Sequence, residues 1–383
     1  MKGSDSKAIR GIRIAPPVPL GSYPPSDVRF LLKDLSNIQL EQGTAEREKA
    51  IQSGVSYSEM LPVEYQPTAQ YIELFQETLR ESAEKVAHAV AVVSEMIVSR
   101  RGTDKTVLVS LARAGTPVGV LIKRYIAWRY GADLPHYSIS IIRGKGIDEN
   151  ALLYMLQEHG QDAKLQFIDG WTGKGAIRRV LIESCAGFYA KYGVALNDDL
   201  AVLADPGHCS QTFGTREDYL IPSACLNSTV SGLISRTVLR EDLIGPGDFH
   251  GAKYYREWLD SDLSNVFIEG IVPYFASVAE EAKAAAEEMR NSPPDVTWQG
   301  MQDIRGIQET FGIDNINLVK PGVGETTRVL LRRVPWKILV NTMDNPNLRH
   351  ILLLAEERGV PVEVYPGLTY SCCGIIKSLK GGD

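Results

Sequence analysis

The sequence lacks the long apolar runs of membrane proteins and the cysteine spacing of zinc or disulfide proteins. No run approaches the ~18 apolar residues of a membrane helix, and the start, MKGSDSKAIRGIRIAPP, has no apolar signal-peptide core. The five cysteines are an odd number without C-x-x-C spacing, so reduced, buried thiols are the default. We therefore expect a cytoplasmic protein that has no membrane segment and no zinc cluster.

The composition is that of a globular protein with ordinary cores. The chain has 383 residues, of which 44% are hydrophobic and 23% charged, enough for two or three domains. A charged, amphipathic helix is predicted over 276–290, and the following Asn-Ser-Pro-Pro-Asp ends it because Pro-Pro stops a helix. We predict a first domain over 1–290, with an N-terminal extension over about 1–80, a linker over 291–300 and a second domain over 301–383.

A glycine-rich turn follows a predicted buried strand in the segment LQFIDGWTGKGAI, residues 165–177. Helical spacing continues to residue 190, so the turn lies where a strand passes into a helix. Backbone N–H groups at a helix N-terminus bind anions, and glycine lets a phosphate approach them. Asp169 can accept hydrogen bonds from sugar hydroxyls at the same place. The segment predicts a site for a phosphorylated ribose, held by Gly170, Thr172, Gly173, Lys174 and Gly175.

Two other interpretations of this turn compete. It can be a tight connection without a ligand. It can also be compared with a nucleotide P-loop, but that motif requires glycine where this chain has Ile168 and a hydroxyl residue where it has Gly175. The P-loop is therefore excluded, and the simple connection stays open.

A second turn of small residues follows another apolar strand in TVLVSLARAGTPVGV, residues 106–120. The residues of this turn are Ala112, Arg113, Ala114 and Gly115. Backbone amides there could face a ligand, and Arg113 could bind phosphate oxygens with its planar guanidinium. The alternative is a connecting turn with a surface arginine. Two such turns on successive strands favour a ligand site, because parallel sheets bind ligands at the carboxyl ends of their strands.

These two segments resemble the pyrophosphate loop and the phosphoribosyl-pyrophosphate loop of type I phosphoribosyltransferases. The resemblance implies a parallel sheet flanked by helices and the attack of a base nitrogen at C1 of phosphoribosyl pyrophosphate. It also implies Mg²⁺ at the pyrophosphate, touching Asp169 through the sugar, and catalytic roles for Arg113 and Asp169. The family's mobile loop corresponds to YSISIIRGKGID, residues 137–148, where Arg143 and Lys145 could neutralise the leaving pyrophosphate. A solvated hairpin is the alternative there.

The chain also departs from the phosphoribosyltransferase pattern. The family usually has two adjacent acids after its strand, whereas Asp169 is followed by Gly170 and Trp171. One hydroxyl contact is thus missing. A changed sugar ligand, a binding site or a hydrolytic site stays open.

Three longer phrases, at 21–35, 57–75 and 221–239, resemble bacterial stress-response proteins of this type that are associated with tellurium resistance and labelled cysteine protease StiP. A protease needs a cysteine nucleophile and a histidine base close in space. His208 directly precedes Cys209 in ADPGHCSQTFG, but none of the known local cysteine-protease signatures is present. Proteolysis is an alternative, and phosphoribosyl transfer is the main prediction.

The final segment predicts a small α/β/α domain of different character. Residues 301–383 hold 10 Lys and Arg against 9 Asp and Glu, net +1, whereas the remainder holds 31 against 38, net −7. The phrases GVGETTRVLLRRVPWKILV and DNPNLRHILLLAEERGVPVEV resemble the RNA-binding domain shared by Pelota and kink-turn-binding ribosomal proteins. The resemblance implies binding of structured RNA or tRNA. The residues that it implicates are Gly322, Gly324, Glu325, Arg328, Arg332 and Arg333.

Gly324 stands where that RNA-binding motif has an asparagine, which puts kink-turn readout in doubt but leaves backbone recognition intact. In the alternative, the domain only packs on the enzyme or mediates a homodimer, and the basic residues form a solvated helix face. A third overall interpretation is an RNA-binding factor whose ribose-phosphate site is a sensor without catalysis.

Overall fold

The structure is a computed structural model that describes residues 14–43, 59–64 and 66–377, without the side chain of Arg332. Much of the predicted N-terminal extension, 1–13 and 44–58, lies outside the described residues. The structure contains a six-stranded parallel sheet in the order β1-β6-β5-β9-β10-β11. These strands are β1 (Arg29–Leu31), β5 (Thr106–Leu111), β6 (His136–Ile139), β9 (Lys164–Trp171), β10 (Leu200–Ala204) and β11 (Thr212–Thr215).

Helices cover both faces of this sheet, which explains why β5 and β10 are buried along their whole length. The helices of this part are α1 (Ala69–Arg101), α2 (Gly115–Tyr130), α3 (Glu149–His159), α4 (Ala176–Tyr192), α5 (Ser264–Ile271) and α6 (Phe275–Asn291). Apolar side chains of α1, α2, α5 and α6 share the core on one face, and those of α3 and α4 share the core on the other. The predicted parallel sheet flanked by helices is confirmed. Its finer assignment to the phosphoribosyltransferase fold stays a prediction.

Three pairs of very short strands are also found among the described residues of this part. β2 (Lys33–Asp34) pairs with β12 (Gly251–Ala252), β3 (Glu41–Gln42) with β4 (Leu61–Pro62), and β7 (Ile141–Ile142) with β8 (Gly146–Ile147). The antiparallel β7–β8 pair forms the hairpin that carries Arg143 and Lys145 at its exposed tip. Among the described residues, no helix is long and apolar enough to cross a bilayer.

The C-terminal part forms a second, four-stranded sheet in the order β13-β16-β14-β15. Its elements are α7 (Gln299–Thr310), β13 (Val319–Pro321), α8 (Val323–Arg332), β14 (Pro335–Val340), α9 (Arg349–Glu357), β15 (Val362–Val364) and β16 (Cys372–Ile376). Helices α8 and α9 cover one face and α7 the other. The small α/β domain predicted for this segment is present, and its sheet has four strands.

The core under α8 and α9 is continuous with the main core of the first sheet. Val323 and Leu330 of α8 belong to the same buried cluster as Ala224 and Ile221, which lie after β11. Since apolar burial drives association, this contact holds the second sheet firmly against the first part of the chain. The predicted boundaries at 290 and 300 stay a prediction.

Candidate active site

The turn after β9 lies at the carboxyl edge of the parallel sheet, where the sequence places it. Gly175 is the residue before α4 and has φ of 74°, a left-handed conformation that favours glycine. A Cβ on Gly175 would overlap the ring of Trp298 and stand 2.8 Å from Sγ of Cys209. The turn is therefore enclosed between the loop that follows β10 and Trp298. Trp298 begins the C-terminal sheet domain, residues 298–377, which carries the four-stranded sheet.

A network of polar contacts joins this turn to the loop after β10. The hydroxyl of Thr172 donates to Oδ1 of Asp205 at 2.6 Å and accepts from the N–H of Gly207 at 3.2 Å. Asp205 also accepts from the backbone N–H groups of Cys209 and Ser210, at 2.8 and 3.2 Å. Burial raises the pKa of Asp205. This carboxyl group thus fixes the shape of the loop that carries Cys209.

The thiol of Cys209 is fully buried beside the N-terminus of α4. Its Sγ donates to the carbonyl oxygen of Gly207 at 3.3 Å. Burial and the nearby charge of Asp205 raise the pKa of the Cys209 thiol to about 12, while Arg178 and Arg179 act in the opposite direction. In the arrangement seen here the sulfur is therefore a neutral thiol and a weak nucleophile.

His208 precedes Cys209 in a left-handed backbone conformation with φ of 53°. Its Nδ1 lies 3.5 Å from Oγ1 of Thr297, and its carbonyl oxygen accepts from the N–H of Trp298 at 3.0 Å. Burial lowers the pKa of His208. Both residues of the predicted His-Cys pair thus lie under the beginning of the C-terminal sheet domain.

Arg113, predicted to bind pyrophosphate, is paired with a carboxylate of the protein. Its Nη1 lies 2.8 Å from Oε1 of Glu64 and donates to the carbonyl oxygen of Ile234 at 3.3 Å. The Ala112–Arg113 peptide bond is cis. Gly115 begins α2 in close contact with β9, where a Cβ would overlap the carbonyl oxygen of Ile168. The glycine thus lets the helix approach the strand.

Asp169 lies near the end of β9, and its Oδ1 accepts from the N–H of Gly170 at 2.8 Å. Burial raises the pKa of Asp169 to about 7. Mg²⁺ is usually bound by one or two carboxylates together with substrate phosphates, and Asp169 offers one carboxylate. Magnesium and phosphoribosyl pyrophosphate stay predictions from the sequence, as does the role of Asp169 in holding them.

Lys174 reaches away from the turn into the C-terminal sheet domain. Its Nζ donates to the carbonyl oxygen of Ile316 at 2.9 Å and to Oδ1 of Asn317 at 3.2 Å. Burial, followed by the like charges of Lys320 and Arg143, lowers the pKa of Lys174 to about 8. Arg143, at the tip of the β7–β8 hairpin, thus shares one region with two lysines. Lys145 is exposed at the same tip.

Three of the predicted RNA-binding residues, Gly322, Gly324 and Arg328, lie at the contact between the two parts of the chain. Gly322, with φ of 90°, faces Asp218, and Gly324 lies against Ala224 and Trp171. The Arg328 side chain donates from Nε to the carbonyl oxygen of Ala224 at 3.0 Å and from Nη1 to Glu325 at 2.9 Å.

The guanidinium of Arg328 also lies 5.4 Å from the centre of the Trp171 ring. Although burial acts to raise it, the pKa of Glu325 is lowered by Arg328 and Lys320. Arg333 is exposed, and the Arg332 side chain lies outside the described part.

Sequence reasoning did not identify the residues that join the two parts. Asp218 accepts from the N–H of Val323 at 2.9 Å and from the N–H of Ser371 at 2.8 Å. The Tyr370 hydroxyl donates to the carbonyl oxygen of Gly173 at 3.1 Å. A cavity of about 10 Å³, room for one water, remains between Trp171 and Gly322. No local motif marks these residues, because their partners are backbone groups far away in sequence.

The fold and this arrangement define an α/β protein whose glycine-rich turn, buried thiol and C-terminal sheet domain meet at one edge of a parallel sheet. Comparison with known families matches residues 21–272 to the family described as "Tellurite-like stress resistance cysteine protease StiP" and residues 298–378 to the "PELOTA RNA binding domain". A relative from Acinetobacter baylyi, named "Cysteine protease StiP", is 36% identical over 354 residues, 90% of each chain. The chain belongs to the StiP family.

These comparisons correct the main prediction. The family and the Acinetobacter relative are described as cysteine proteases, which are hydrolases, so the predicted phosphoribosyl transfer and the glycosyltransferase class are wrong. The structure offers a physical reason, because two cations that were predicted to bind phosphate have partners within the protein. Lys174 is bound to carbonyl and amide oxygens of the C-terminal sheet domain, and Arg113 is paired with Glu64. The resemblance to the StiP family and to the Pelota domain is confirmed.

Proposed function

We propose that this chain is a cysteine peptidase in which Cys209 is the nucleophile. The observation that carries the assignment is the position of its Sγ beside Gly175, the residue that precedes α4. The positive end of a helix dipole lowers the pKa of a nearby thiol, and Arg178 and Arg179 add charge of the same sign. Both effects favour a thiolate once the cover of the C-terminal sheet domain is removed.

The other cysteines have no comparable position. Cys185 lies within α4 and faces the buried core, and Cys372 and Cys373 belong to β16. Cys225 ends a short 3-10 segment, Pro222–Cys225. Cys209 follows β10 at the carboxyl edge of the parallel sheet, the edge at which such sheets bind ligands, and its Sγ lies beside the residue that precedes α4.

In the proposed reaction Cys209 gives its proton to a base, the role that we assign to the neighbouring His208, and Sγ forms a bond with the carbonyl carbon of a peptide. Negative charge passes to the carbonyl oxygen, where N–H groups of the first turn of α4 can stabilise it, since these groups have no partner within a helix. The C–N bond then breaks as His208 gives the proton to the leaving amine. Water hydrolyses the thioester, which releases the acid and restores the thiol.

Hydrolysis of a fluorescently labelled casein by the full chain tests this proposal. Cys209→Ser removes the nucleophile, and Cys185→Ser is the matched control, because burial raises the pKa of that thiol also to about 12. We expect hydrolysis to be lost in the first variant and kept in the second. Hydrolysis that survives in Cys209→Ser, or no hydrolysis by the parent chain in any condition, would remove Cys209 from the role of nucleophile.

We also propose that the C-terminal sheet domain binds structured RNA. This proposal is supported by the match to a Pelota RNA-binding domain and by three cations, Arg328, Lys320 and Arg143, whose charges act on one carboxylate, Glu325. Phosphate backbones attract such clusters, and the attraction weakens as salt rises. A mobility-shift series with bulk tRNA and increasing salt tests it. Absence of a shift at low salt would contradict it.

A further inference from the structure

The C-terminal sheet domain covers the thiol through contacts to the loops on both sides of it. The N–H groups of Trp298 and Gly300 donate to the carbonyl oxygens of His208 and Gly207, at 3.0 and 3.3 Å. The Tyr370 hydroxyl reaches the carbonyl oxygen of Gly173. These bonds fix the domain above the turn and above Cys209, which has no exposed surface. In this arrangement a peptide cannot reach Sγ.

The same contact also covers the predicted RNA-binding turn. A Cβ on Gly324 would stand 3.2 Å from Cβ of Ala224, and Arg328 is bound to the carbonyl oxygen of Ala224 and lies over Trp171. The glycine turn is buried, so a phosphate cannot approach it while the domain is docked. Arg328 is partly exposed, but its Nε and Nη1 are already bound within the protein. The surface that would bind RNA and the surface that would bind peptide therefore face each other.

One buried carboxylate holds the two surfaces together. Oδ1 of Asp218 accepts from the N–H of Val323, and Oδ2 accepts from the N–H of Ser371, whose hydroxyl donates to the Asp218 carbonyl oxygen at 2.7 Å. Val323 is the first residue of α8, so this carboxylate occupies the helix N-terminus beside the glycine turn. It fills the place at which a phosphate of RNA would be bound.

Like charges oppose this docking. Burial is the main cause that lowers the pKa of Lys174 and of Lys320, and like charges add to it, Lys320 and Arg143 at Lys174 and Arg143 at Lys320. A polyanion would relieve this repulsion, because each phosphate can pair with cations of both parts. The docked arrangement is thus held by apolar contacts and by Asp218, but it also brings together cations that a polyanion would bind.

We propose that structured RNA, by binding the turn Gly322–Arg328, displaces the C-terminal sheet domain and uncovers Cys209. This inference rests on the two proposed functions, since it makes RNA the activator of the thiol. A ligand that binds only the open form shifts the equilibrium toward that form. Linkage also requires the reciprocal effect. A mutation that raises the population of the open form by a given factor must tighten the binding of RNA by that same factor.

The experiment measures the alkylation of Cys209 and Cys185 in the same full-length molecules, with limiting iodoacetamide and peptide mapping by mass spectrometry. Bulk tRNA and a synthetic hairpin with an internal loop are the probes, each at a concentration that shifts the protein on a gel. We expect RNA to raise the rate at Cys209 about tenfold, a typical coupling, and to leave Cys185 unchanged. Cys185 reports whether the whole fold has opened.

Asp218→Asn and Tyr370→Phe provide the reciprocal test. Without RNA both variants should alkylate faster at Cys209, and they should bind tRNA more tightly by the same factor. Tyr370→Phe removes one hydroxyl and keeps the ring, so it covers the case in which Asp218→Asn fails to fold.

RNA that binds while the Cys209 rate stays constant would overturn the inference, as would equal increases at both cysteines. Absence of RNA binding in every variant would overturn both the inference and the proposed RNA function. Alkylation needs no peptidase activity, so failure of the peptidase proposal is detected separately by the casein assay.

Discussion

The backbone N–H of Val323 donates to the Asp218 carboxylate, and this bond joins the start of α8 to the loop that follows the parallel sheet. Asp218 lies in the part of the chain that matches the StiP family, and Val323 lies in the part that matches the Pelota domain. The contact therefore joins the parts of the chain that match the two families.

Asp218→Ala should lower the free energy of unfolding by about 2 to 3 kcal/mol, because it leaves two buried N–H groups without their acceptor. Urea unfolding measures the change. Asp242→Ala is the control, since Asp242 pairs with Arg240 at the surface, and exposed pairs contribute only about 0 to 1 kcal/mol. Equal losses in the two variants would contradict the role of Asp218.

Gly175→Ala should open the cover over Cys209. The new Cβ would overlap the Trp298 ring and approach Sγ, and the left-handed backbone adds a cost of about 1 kcal/mol. Gly131→Ala is the matched control, because Gly131 has φ of 65° and nothing within 4 Å of the position that a new Cβ would take. We expect faster alkylation of Cys209 only in Gly175→Ala. Similar alkylation rates in both variants would show that backbone strain, rather than displacement of Trp298, exposes the thiol.

Asp169 should make the stability of the protein depend on pH. Burial raises its pKa in the folded chain to about 7, well above the ordinary value of 3.8, so the folded state keeps a proton that the unfolded state has lost. Between pH 3.8 and about 7, the Asp169 carboxyl group should lower the free energy of unfolding by about 1.4 kcal/mol for each unit by which the pH rises. Asp169→Asn removes the contribution. Urea unfolding at pH 5 to 6.5 should therefore show a flatter profile for the variant, and identical profiles would contradict the shift.

Arg333 should contribute to the affinity for RNA through charge alone. It is exposed at the end of α8, so Arg333→Ala should weaken binding to tRNA and to the hairpin alike and lower the log–log salt slope by about one. Arg240→Ala is the control, because Arg240 is partly exposed on the other part of the chain. A loss confined to one RNA, or an equal loss in the control, would contradict a contact between Arg333 and phosphate.

The sequence predicts most of the elements that form the site and little of how they meet. The apolar run before Asp169 and the Thr172–Gly175 turn predict a strand, a turn and a helix in the right order, because hydrophobic periodicity and glycine are local signals. Strand β16 escapes prediction, since its Cys372-Cys373-Gly374 start lacks the alternation of a half-buried strand.

The contact between the two parts could not be predicted for a different reason. Asp218 and Tyr370 bind backbone groups about a hundred or more positions away, and such pairings leave no pattern in a single sequence. The same lack of information on long-range partners led to the wrong predicted function. Lys174 and Arg113 suit phosphate when each segment is considered alone, but the folded chain gives both of them partners within the protein.

The most direct test of the account is to identify the cysteine that reacts with a substrate-like electrophile. The full chain, with bulk tRNA present, is incubated with a peptidyl vinyl sulfone, and the adduct is located by intact-mass and peptide analysis. We expect a single adduct on Cys209, absent from Cys209→Ser and unchanged in Cys185→Ser. An adduct on another cysteine, together with casein hydrolysis that persists in Cys209→Ser, would contradict it.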